Sequence, residues 1–320
     1  QTLRNDDKWN MVHAALVDRG TFIYLPPNTQ AIEPIILEQI LLTHSRVESV
    51  LIFAEENASA SILLLQHSLA SPSIPLFFSV AVEVFAEKSA RLSIATLQDF
   101  SPENVFLHSI SRARIGENAS VNWYAGELGT QSSQSEVESQ LLAPFSSSQL
   151  VRISLGREEQ CFNSLDAMHH IAPHTRSGML AHAALNDSSK SIYRALVRME
   201  KTARTAIGHQ RADSLLLSRS AEADPVPILE IENSDVNATH AATVGRVDSE
   251  KLFYLFSRGI GEKEARALYV TGFIQHALEK ISFPAFVEGV REKMNEKLGI
   301  ACVPDVPFYS SESSPPVVVS

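Results

Sequence analysis

Residues 227–272, PILEIENSDVNATHAATVGRVDSEKLFYLFSRGIGEKEARALYVTG, contain a change of sequence periodicity. The stretch begins with a short apolar run typical of a strand and continues through a polar segment that includes His240. Asp248 can then cap a helix that continues to Arg258 and ends at Gly259. Apolar residues beyond this point recur every three or four positions, which predicts a second helix. The chain therefore changes from strands to helices within this stretch.

Upstream, short alternating apolar runs recur from about residue 78 to residue 242. Polar connectors rich in Glu, Asn and Ser separate them, and the runs repeat at roughly 10 to 15 residues, a spacing typical of an all-β protein. A sandwich of hairpins and a solenoid of stacked coils both fit this rhythm. The region has no Asn-Gly or Asp-Gly hairpin turn, which favours the solenoid.

The sequence thus predicts a mainly β protein whose core is a right-handed parallel β-helix, that is, a solenoid. We expect a small N-terminal α/β cap over residues 1–77, the solenoid over 78–247, and a C-terminal α-helical subdomain over 248–309. Helices are predicted at 248–258, at 262–281 and at 284–298, where Pro284 suits a first helical turn. The Ser/Pro-rich residues 310–320 are expected to form a disordered tail.

Composition excludes several classes of function. The 320 residues contain 37 Asp and Glu against 27 Lys and Arg, a net charge of −10, which argues against nucleic-acid binding and against an anionic membrane surface. No apolar run approaches the roughly 20 residues that span a bilayer. Cys161 and Cys302 lie far apart and form no disulfide or zinc pattern. A soluble, cytoplasmic protein is expected, and the start at Gln1 suggests a trimmed chain.

The stretch from residue 235 to residue 259 resembles the SufB/SufD family, the β-solenoid subunits of the SUF iron–sulfur cluster assembly machine, and is closest to SufD. The residues that match the family signature are Asp235, Val236, His240, Ala242, Thr243, Val244, Gly245, Asp248, Phe253, Tyr254, Leu255, Ser257, Arg258 and Gly259. Upstream, residues 215–218 and 229–231 resemble the family's L-L-L-S and L-E-I segments, and residues 169–177 resemble its H-x-x-P-x-T-x-S stretch. A weaker pattern lies earlier, at Ser79, Glu83 and Gln98, so that the resemblance covers about three-quarters of the chain.

The resemblance implies a non-catalytic SufD-like scaffold subunit rather than an enzyme. Such a subunit pairs with a SufB-like subunit as a heterodimer and docks the SufC-like ABC ATPase through its C-terminal helices, and a homodimer is considered for the isolated chain. ATP would be bound only by the ATPase, in the cytoplasm or in a plastid stroma. The chain has no G-x-x-x-x-G-K-[ST] loop of its own. Candidate docking residues are Phe253, Tyr254, Leu255, Arg258, Gly259 and Phe273.

His240 is the candidate ligand of iron or of an Fe–S cluster, which would be held transiently and shared with the partner. The resemblance places it at the junction with the SufB-like subunit, and an imidazole can replace a thiolate in cluster ligation. A structural, hydrogen-bonded histidine is the other interpretation. The family often has Cys where this chain has Ala238, and Gly where it has Ala241. The loss of the thiol removes the best soft ligand of the segment.

Two other groups of residues could carry chemistry. His169, His170, His174 and His182 form the one histidine cluster of the sequence, for which a structural or surface role is favoured over a metal site. Asp213, Glu230, Glu232 and Asp235 could pair as in a carbohydrate-active β-helix enzyme, the first alternative function. A purely structural β-solenoid adaptor is the second alternative.

Overall fold

The computed structural model describes residues 8–69 and 71–298, and within them sixteen strands form two parallel sheets of eight strands each. Sheet A contains the odd-numbered strands β1 (Arg19–Leu25), β3 (Arg46–Ala54), β5 (Leu76–Ala86), β7 (Val105–Ile115), β9 (Ser132–Leu141), β11 (Cys161–His170), β13 (Lys190–Met199) and β15 (Glu222–Ile231). Sheet B contains the even-numbered strands β2 (Ile35–Leu41), β4 (Ser59–Ser68), β6 (Arg91–Asp99), β8 (Ser120–Glu127), β10 (Ser147–Gly156), β12 (Arg176–Leu185), β14 (Ile207–Leu216) and β16 (Asn237–Arg246).

The two sheets are the walls of one solenoid. Cys161 on β11 pairs with Lys190 on β13, and Ser147 on β10 pairs with Arg176 on β12, so that successive coils are 29 residues apart along the chain at these points. Each coil therefore contains two strands of about ten residues, one in each sheet. The parallel β-solenoid predicted from the sequence is confirmed. Each apolar run of the sequence is one strand, so the spacing between runs corresponds to half of one coil.

Residues with a left-handed backbone lie at the corners of the coils. At the corners that lead from sheet A to sheet B, one residue in each of the first seven coils has φ between 54° and 64°: Asn28, Asn57, Ser89, Asn118, Phe145, His174 and Thr205. Asparagine adopts this conformation more readily than most residues. The amide of Asn57 donates to the carbonyl of Lys88, 3.0 Å away on the next coil. The corners thus link neighbouring coils as the strands do.

The N-terminal region differs from the predicted α/β cap. Among the described residues, one helix, α1 (Lys8–Leu16), precedes the strands, and it lies on the outer face of sheet A with Trp9 against Phe77 and Phe106. Strands β1 to β4 continue the two sheets, so the solenoid begins at Arg19 rather than at residue 78. The Pro26–Pro27 turn, between β1 and β2, is a corner of the first coil.

Three helices follow the last strand: α2 (Ser249–Ser257), α3 (Glu262–Leu278) and α4 (Pro284–Leu298). Asp248 caps α2 by accepting hydrogen bonds from the amides of Glu250 and Lys251, and Gly259 has φ 84° just after it. The predicted helix starts are confirmed, and the cap at Asp248 fixes that of α2, whereas α3 begins after Gly261 without a side-chain cap. The predicted tail at 310–320 and the adjoining residues 299–309 lie outside the described residues.

Helices α3 and α4 pack on the outer face of sheet B. Ile274 on α3 and Phe286 on α4 are buried in one cluster with residues of β4 to β14, including Leu97 and Tyr124. A Cβ atom added at Gly126 would lie 3.3 Å from the ring of Phe286, so glycine permits this close packing. Among the described residues, no helix combines the length and the hydropathy needed to span a bilayer.

Candidate functional site at the open end of the solenoid

The last coil leaves one end of the solenoid open. Strand β15 pairs with β13 and β16 pairs with β14, and neither has a neighbour on its other edge among the described residues. The inward face of this coil is also uncovered, since Ile231 and Val244 keep 45% and 47% of their surface exposed. An exposed strand edge with apolar side chains beside it is a site where another β-strand can add.

His240 lies on β16 at this open end. It pairs in register with Gln210, a buried residue of β14, and its own side chain is exposed because no further coil covers it. The ring makes no hydrogen bond or ion pair with any described residue. Within the isolated chain, the imidazole is therefore available to an external ligand, and the interpretation as a hydrogen-bonded structural histidine gains no support.

Ala238 lies on the same face of β16, one pleat before His240. It is partly buried and packs against the core of the solenoid. A cysteine here would have placed a thiol next to the imidazole, but the methyl group of Ala238 supplies no ligand. Among the described residues, no group of three or more His, Cys, Asp and Glu side chains could hold a metal ion. One imidazole would need ligands from another molecule to bind iron.

The four clustered histidines of the sequence lie on different surfaces. His169 is on the outer face of sheet A, where its Nε2 lies 2.8 Å from a carboxylate oxygen of Glu200. His174 is at a corner and stacks on Phe145 with 5.0 Å between the ring centroids. Each ring has a partner in the chain, which is the structural or surface arrangement that the sequence favoured.

His170 lies inside the solenoid. Its Nδ1 is 2.7 Å from the hydroxyl of Thr175 and its Nε2 is 2.8 Å from the hydroxyl of Ser177. Burial, with a smaller contribution from His169, lowers the pKa of His170 to about 4. The ring is therefore neutral at physiological pH. Its contacts with Thr175 and Ser177 stabilise one corner of the coil.

His182 lies between sheet B and α3. Its Nδ1 donates to the carbonyl of Phe273, 3.2 Å away, and its Nε2 faces a carboxylate oxygen of Asp213 at 3.6 Å. Burial lowers the pKa of His182, whereas the charge of Asp213 partly opposes this shift. The histidine fastens α3 to the sheet close to the open end.

Asp213 is not brought together with the other candidate carboxylates, Glu230, Glu232 and Asp235. Asp213 lies on β14 in sheet B, where Arg211 and the hydroxyl of Thr243 donate to it. Glu230 lies on β15 in sheet A and faces Arg198 at 3.9 Å, and the turn residue Asp235 faces Arg204 at 3.8 Å. Separate sheets and separate cationic partners are a poor arrangement for a pair of catalytic acids.

Helix α2 carries most of the predicted docking residues on an exposed surface. Phe253 and Tyr254 keep 72% and 56% of their surface, and the guanidinium of Arg258 lies 5.2 Å from the centroid of the Tyr254 ring. Leu255 is half-buried, and among the apolar residues of this helix only Leu252 is buried. An apolar helix face without a protein cover is typical of a binding surface.

Phe273 does not belong to this exposed surface. It lies on α3 and packs against the ring of His182, with 4.7 Å between the ring centroids. The sequence placed it with the docking residues because it follows the family signature. Its place in the fold indicates that it holds α3 on sheet B.

Sequence reasoning missed a buried ion cluster inside the solenoid. The guanidinium of Arg152 donates to Glu127 Oε1 at 2.7 Å and to the two carboxylate oxygens of Asp166 at 3.0 and 2.5 Å. Burial opposes the positive charge, but the two carboxylates overcome it and raise the pKa of Arg152 above its ordinary value. The serine-rich sequence of β9 and the arginine within the apolar run of β10 were the available signals.

Comparison with known proteins agrees with this architecture. The family model described as "SUF system FeS cluster assembly, SufBD core domain" matches residues 39–273, which extend from β2 into α3. The chain therefore belongs to the SufBD core family of the SUF system. The match starts well before residue 78, in line with the early start of the solenoid.

Among curated relatives, the chain is similar to the iron–sulfur cluster assembly protein SufD of Bacillus subtilis, with 29% identity over 295 residues. It is also 28% identical over 289 residues to a SufBD family protein of Staphylococcus saprophyticus. The alignments cover 91% and 88% of this chain, but only 66% and 61% of those relatives. The predicted family, with its closeness to SufD, is confirmed. The chain spans somewhat less than two-thirds of their length.

Proposed function

We propose that this chain is a non-catalytic, SufD-like scaffold subunit of a SUF iron–sulfur cluster assembly complex. It pairs with a SufB-like subunit through the open end of the solenoid, and the nascent cluster is cargo at that junction. The observation that carries this proposal is the exposed His240 on a strand whose outer edge is unpaired in the described structure. Membership of the SufBD core family gives the assembly system in which such a junction operates.

Pairing at the open end has a physical basis. The free backbone groups of β15 and β16 can continue both sheets into a second solenoid, which satisfies hydrogen bonds that are otherwise left to water. The same contact buries Ile231 and Val244, whose burial favours association at about 25 cal/mol for each Å² of apolar surface removed from water. Association with a strand partner is therefore favoured both by the backbone hydrogen bonds and by the burial of apolar surface.

His240 contributes one ligand at this junction. Iron in a cluster needs further ligands, and thiolates of the SufB-like subunit are the class that suits it. The methyl group of Ala238 makes this chain dependent on the partner for sulfur ligands. The cluster is consequently shared between the two subunits, and this chain holds it only transiently.

Docking of the SufC-like ATPase uses the exposed face of α2. Phe253 and Tyr254 provide an apolar helix surface that can enter a groove of the partner. Gly259 and Gly261 separate α2 from α3. ATP is bound by that partner alone, and we place the complex in the cytoplasm or, in a plant-type cell, in the plastid stroma.

The experiment is anaerobic co-purification of this chain with a SufB-like and a SufC-like subunit, with iron and sulfide counted per complex. We compare the wild type with His240→Ala and with His44→Ala, an exposed histidine at the far end of the solenoid. We expect all three chains to assemble and the cluster content to fall only for His240→Ala. If His240→Ala and the wild type have the same cluster content, His240 is only an interface residue and the structural adaptor is favoured. If the wild-type chain binds neither subunit, the assignment is overturned.

Two surface variants separate the two docking sites. Val244→Lys puts a charge at the open end and should abolish binding of the SufB-like subunit while sparing the ATPase. The double variant Phe253→Ser with Tyr254→Ser should do the reverse. Loss of both partners in either variant, with an unchanged thermal midpoint, would contradict the separate assignment of the two surfaces.

A further inference from the structure

A groove of about 670 Å³ runs along the outer face of sheet B, beside the connection between α3 and α4. It crosses β8, β10, β12, β14 and β16, whose residues pair in register across the sheet. Helix α3 covers the next row of side chains, and Lys280 and Ser282 form the wall on that side. The groove lies on the outer face and contains no residue of α2, although Thr239 and Ala241 of the edge strand β16 form its end.

The groove has an apolar floor and a polar rim. Val151, Leu180 and Ala241 lie in one register row and form the floor. Asn122 and Gln149 lie in the adjacent row, and glycine at 178 allows the Gln149 amide to lie across the sheet, since a Cβ there would be 2.2 Å from its Oε1. This combination fits a ligand with an apolar body and polar groups along one side.

The charge of the groove is opposite to that of the chain. None of its lining residues is Asp or Glu, although the chain has a net charge of −10. The lining includes the cations Arg211 and Lys280 instead. A cationic groove on an acidic protein selects for anions, because the rest of the surface repels them.

The two permanent cations are available for a ligand. The side chain of Arg211 is 58% exposed and contacts Asp213 only through Nε, at 2.7 Å, so that its terminal nitrogens face the groove without a partner among the described residues. The Lys280 amine likewise has no side-chain partner in the described part of the chain. A guanidinium with two free nitrogens suits a phosphate, sulfonate or carboxylate group.

The dimensions limit the size of the ligand. Five strands at a spacing of about 4.8 Å give the groove a length of about 19 Å. Its volume lies within the range of about 300 to 1,000 Å³ that is usual for sites of small molecules and cofactors. The hydrogen bond of 3.0 Å between the Tyr124 hydroxyl and the Ser282 Oγ fixes the position of the wall.

The geometry points to a binding site for a small organic anion with a flat apolar body, whose anionic group contacts Arg211 and Lys280. The body lies on Val151 and Leu180, next to the row of polar side chains. This site is separate from the ATPase surface of the proposed function, and its two cations lie on β14 and on the α3–α4 connection rather than on the edge strand of the junction. Loss of anion binding and loss of partner binding can therefore be told apart.

The test uses two dyes with the same aromatic body, the anion 8-anilinonaphthalene-1-sulfonate and the uncharged N-phenyl-1-naphthylamine. Fluorescence titration of the wild-type chain should show one saturable site for the anion. The variant Arg211→Gln with Lys280→Gln should weaken this binding about tenfold or more, since each charge-assisted hydrogen bond is worth more than a neutral one. Binding of the uncharged dye should change less than twofold.

The matched control is Lys190→Gln with Arg204→Gln, two exposed cations outside the groove. It should bind the anionic dye as the wild type does. A second variant, Leu180→Trp, fills the floor and should weaken both dyes while the charges stay in place. Unchanged binding of the anion in the Arg211 and Lys280 variant, an equal loss in the control, or no saturable binding at all would each overturn the proposal.

Discussion

The interior of the solenoid differs between its first and its last coils. In the first coils, fully buried residues such as Ile52, Phe78 and Leu107 lie between the two sheets, together with one hydrogen-bonded polar group of Gln39, Glu48 and Gln66. In the later coils, the inward positions in register with Leu64 and Val50 hold Arg152 and Asp166, among buried serines. The strand pairing and the corners are alike in both regions, so the coil is defined by backbone hydrogen bonds and accepts either filling.

The two fillings stabilise the fold in different ways. An apolar interior contributes in proportion to the area removed from water, and the loss of one methyl group has a limited cost. A buried ion cluster stabilises only when it is complete, because each unpaired charge carries a large desolvation penalty. Ser135 and Ser154 donate to Glu127 at 2.5 and 2.7 Å, so that the cluster of Arg152, Glu127 and Asp166 is closely surrounded by donors.

The largest effect is expected from Arg152→Met. The variant leaves Glu127 and Asp166 buried without their cation, which we expect to cost about 3 to 5 kcal/mol of the free energy of unfolding. Denaturation by urea, followed by circular dichroism, measures this loss. The control adds Glu127→Leu and Asp166→Leu to the same chain and should recover a large part of it. If the single variant is as stable as the wild type, the two interiors do not differ in the way described.

A smaller loss of stability is expected when the pH is lowered. Burial lowers the pKa of His170 to about 4, below its ordinary value of 6.5, so the unfolded chain takes up the proton first. Stability is therefore complete above pH 6.5 and is lost as the pH falls towards 4, by about 3 kcal/mol for a shift of this size. His13 and His182, whose pKa values are lowered mainly by burial, act in the same direction.

The variant His170→Gln isolates this contribution. It should be less stable at pH 7, because the contacts with Thr175 and Ser177 are altered, but its stability should change less between pH 6.5 and pH 4. Urea titrations at four pH values in this window give the two slopes. Parallel slopes for variant and wild type would show that His170 does not titrate as its burial requires.

The smallest effect is expected from Ile52→Val in the apolar coils. Removal of one buried methylene should cost about 1 kcal/mol, since neighbouring side chains relax only partly into the space. Combined with Arg152→Met, the two costs should add to within about 0.5 kcal/mol because the sites share no partner. Strong non-additivity in the urea midpoints would mean that the two interiors behave as one unit.

Local signals in the sequence predicted much of this fold. Asp248, Gly259 and Pro284 fixed the helix ends, since caps depend on neighbouring residues alone. The absence of hairpin dipeptides favoured the solenoid correctly. The full coil period was missed, although the segment Glu-Asn-Ala-Ser at 56–59 returns at 117–120, two corners further on.

Features that depend on tertiary contacts could not be predicted. The position of His240 came from the family signature, but its exposure follows from the absence of a ninth coil on β16 in the described structure. Which face of α2 stays exposed depends on how the helix packs against the rest of the chain. The inward direction of Arg152 and Asp166 depends on strand register, which serine-rich strands specify weakly.

The placement of α3 and α4 has a consequence for how the molecule melts. A bare stack of coils contacts only its neighbours and can fray from either end, one coil at a time. Here the two helices share a buried cluster with strands from β4 to β14, and Lys293 on α4 forms an ion pair of 2.7 Å with Asp99 at the end of β6. The coils between β4 and β14 therefore cannot separate without uncovering this shared cluster, so the helices make this part of the stack melt as one cooperative unit.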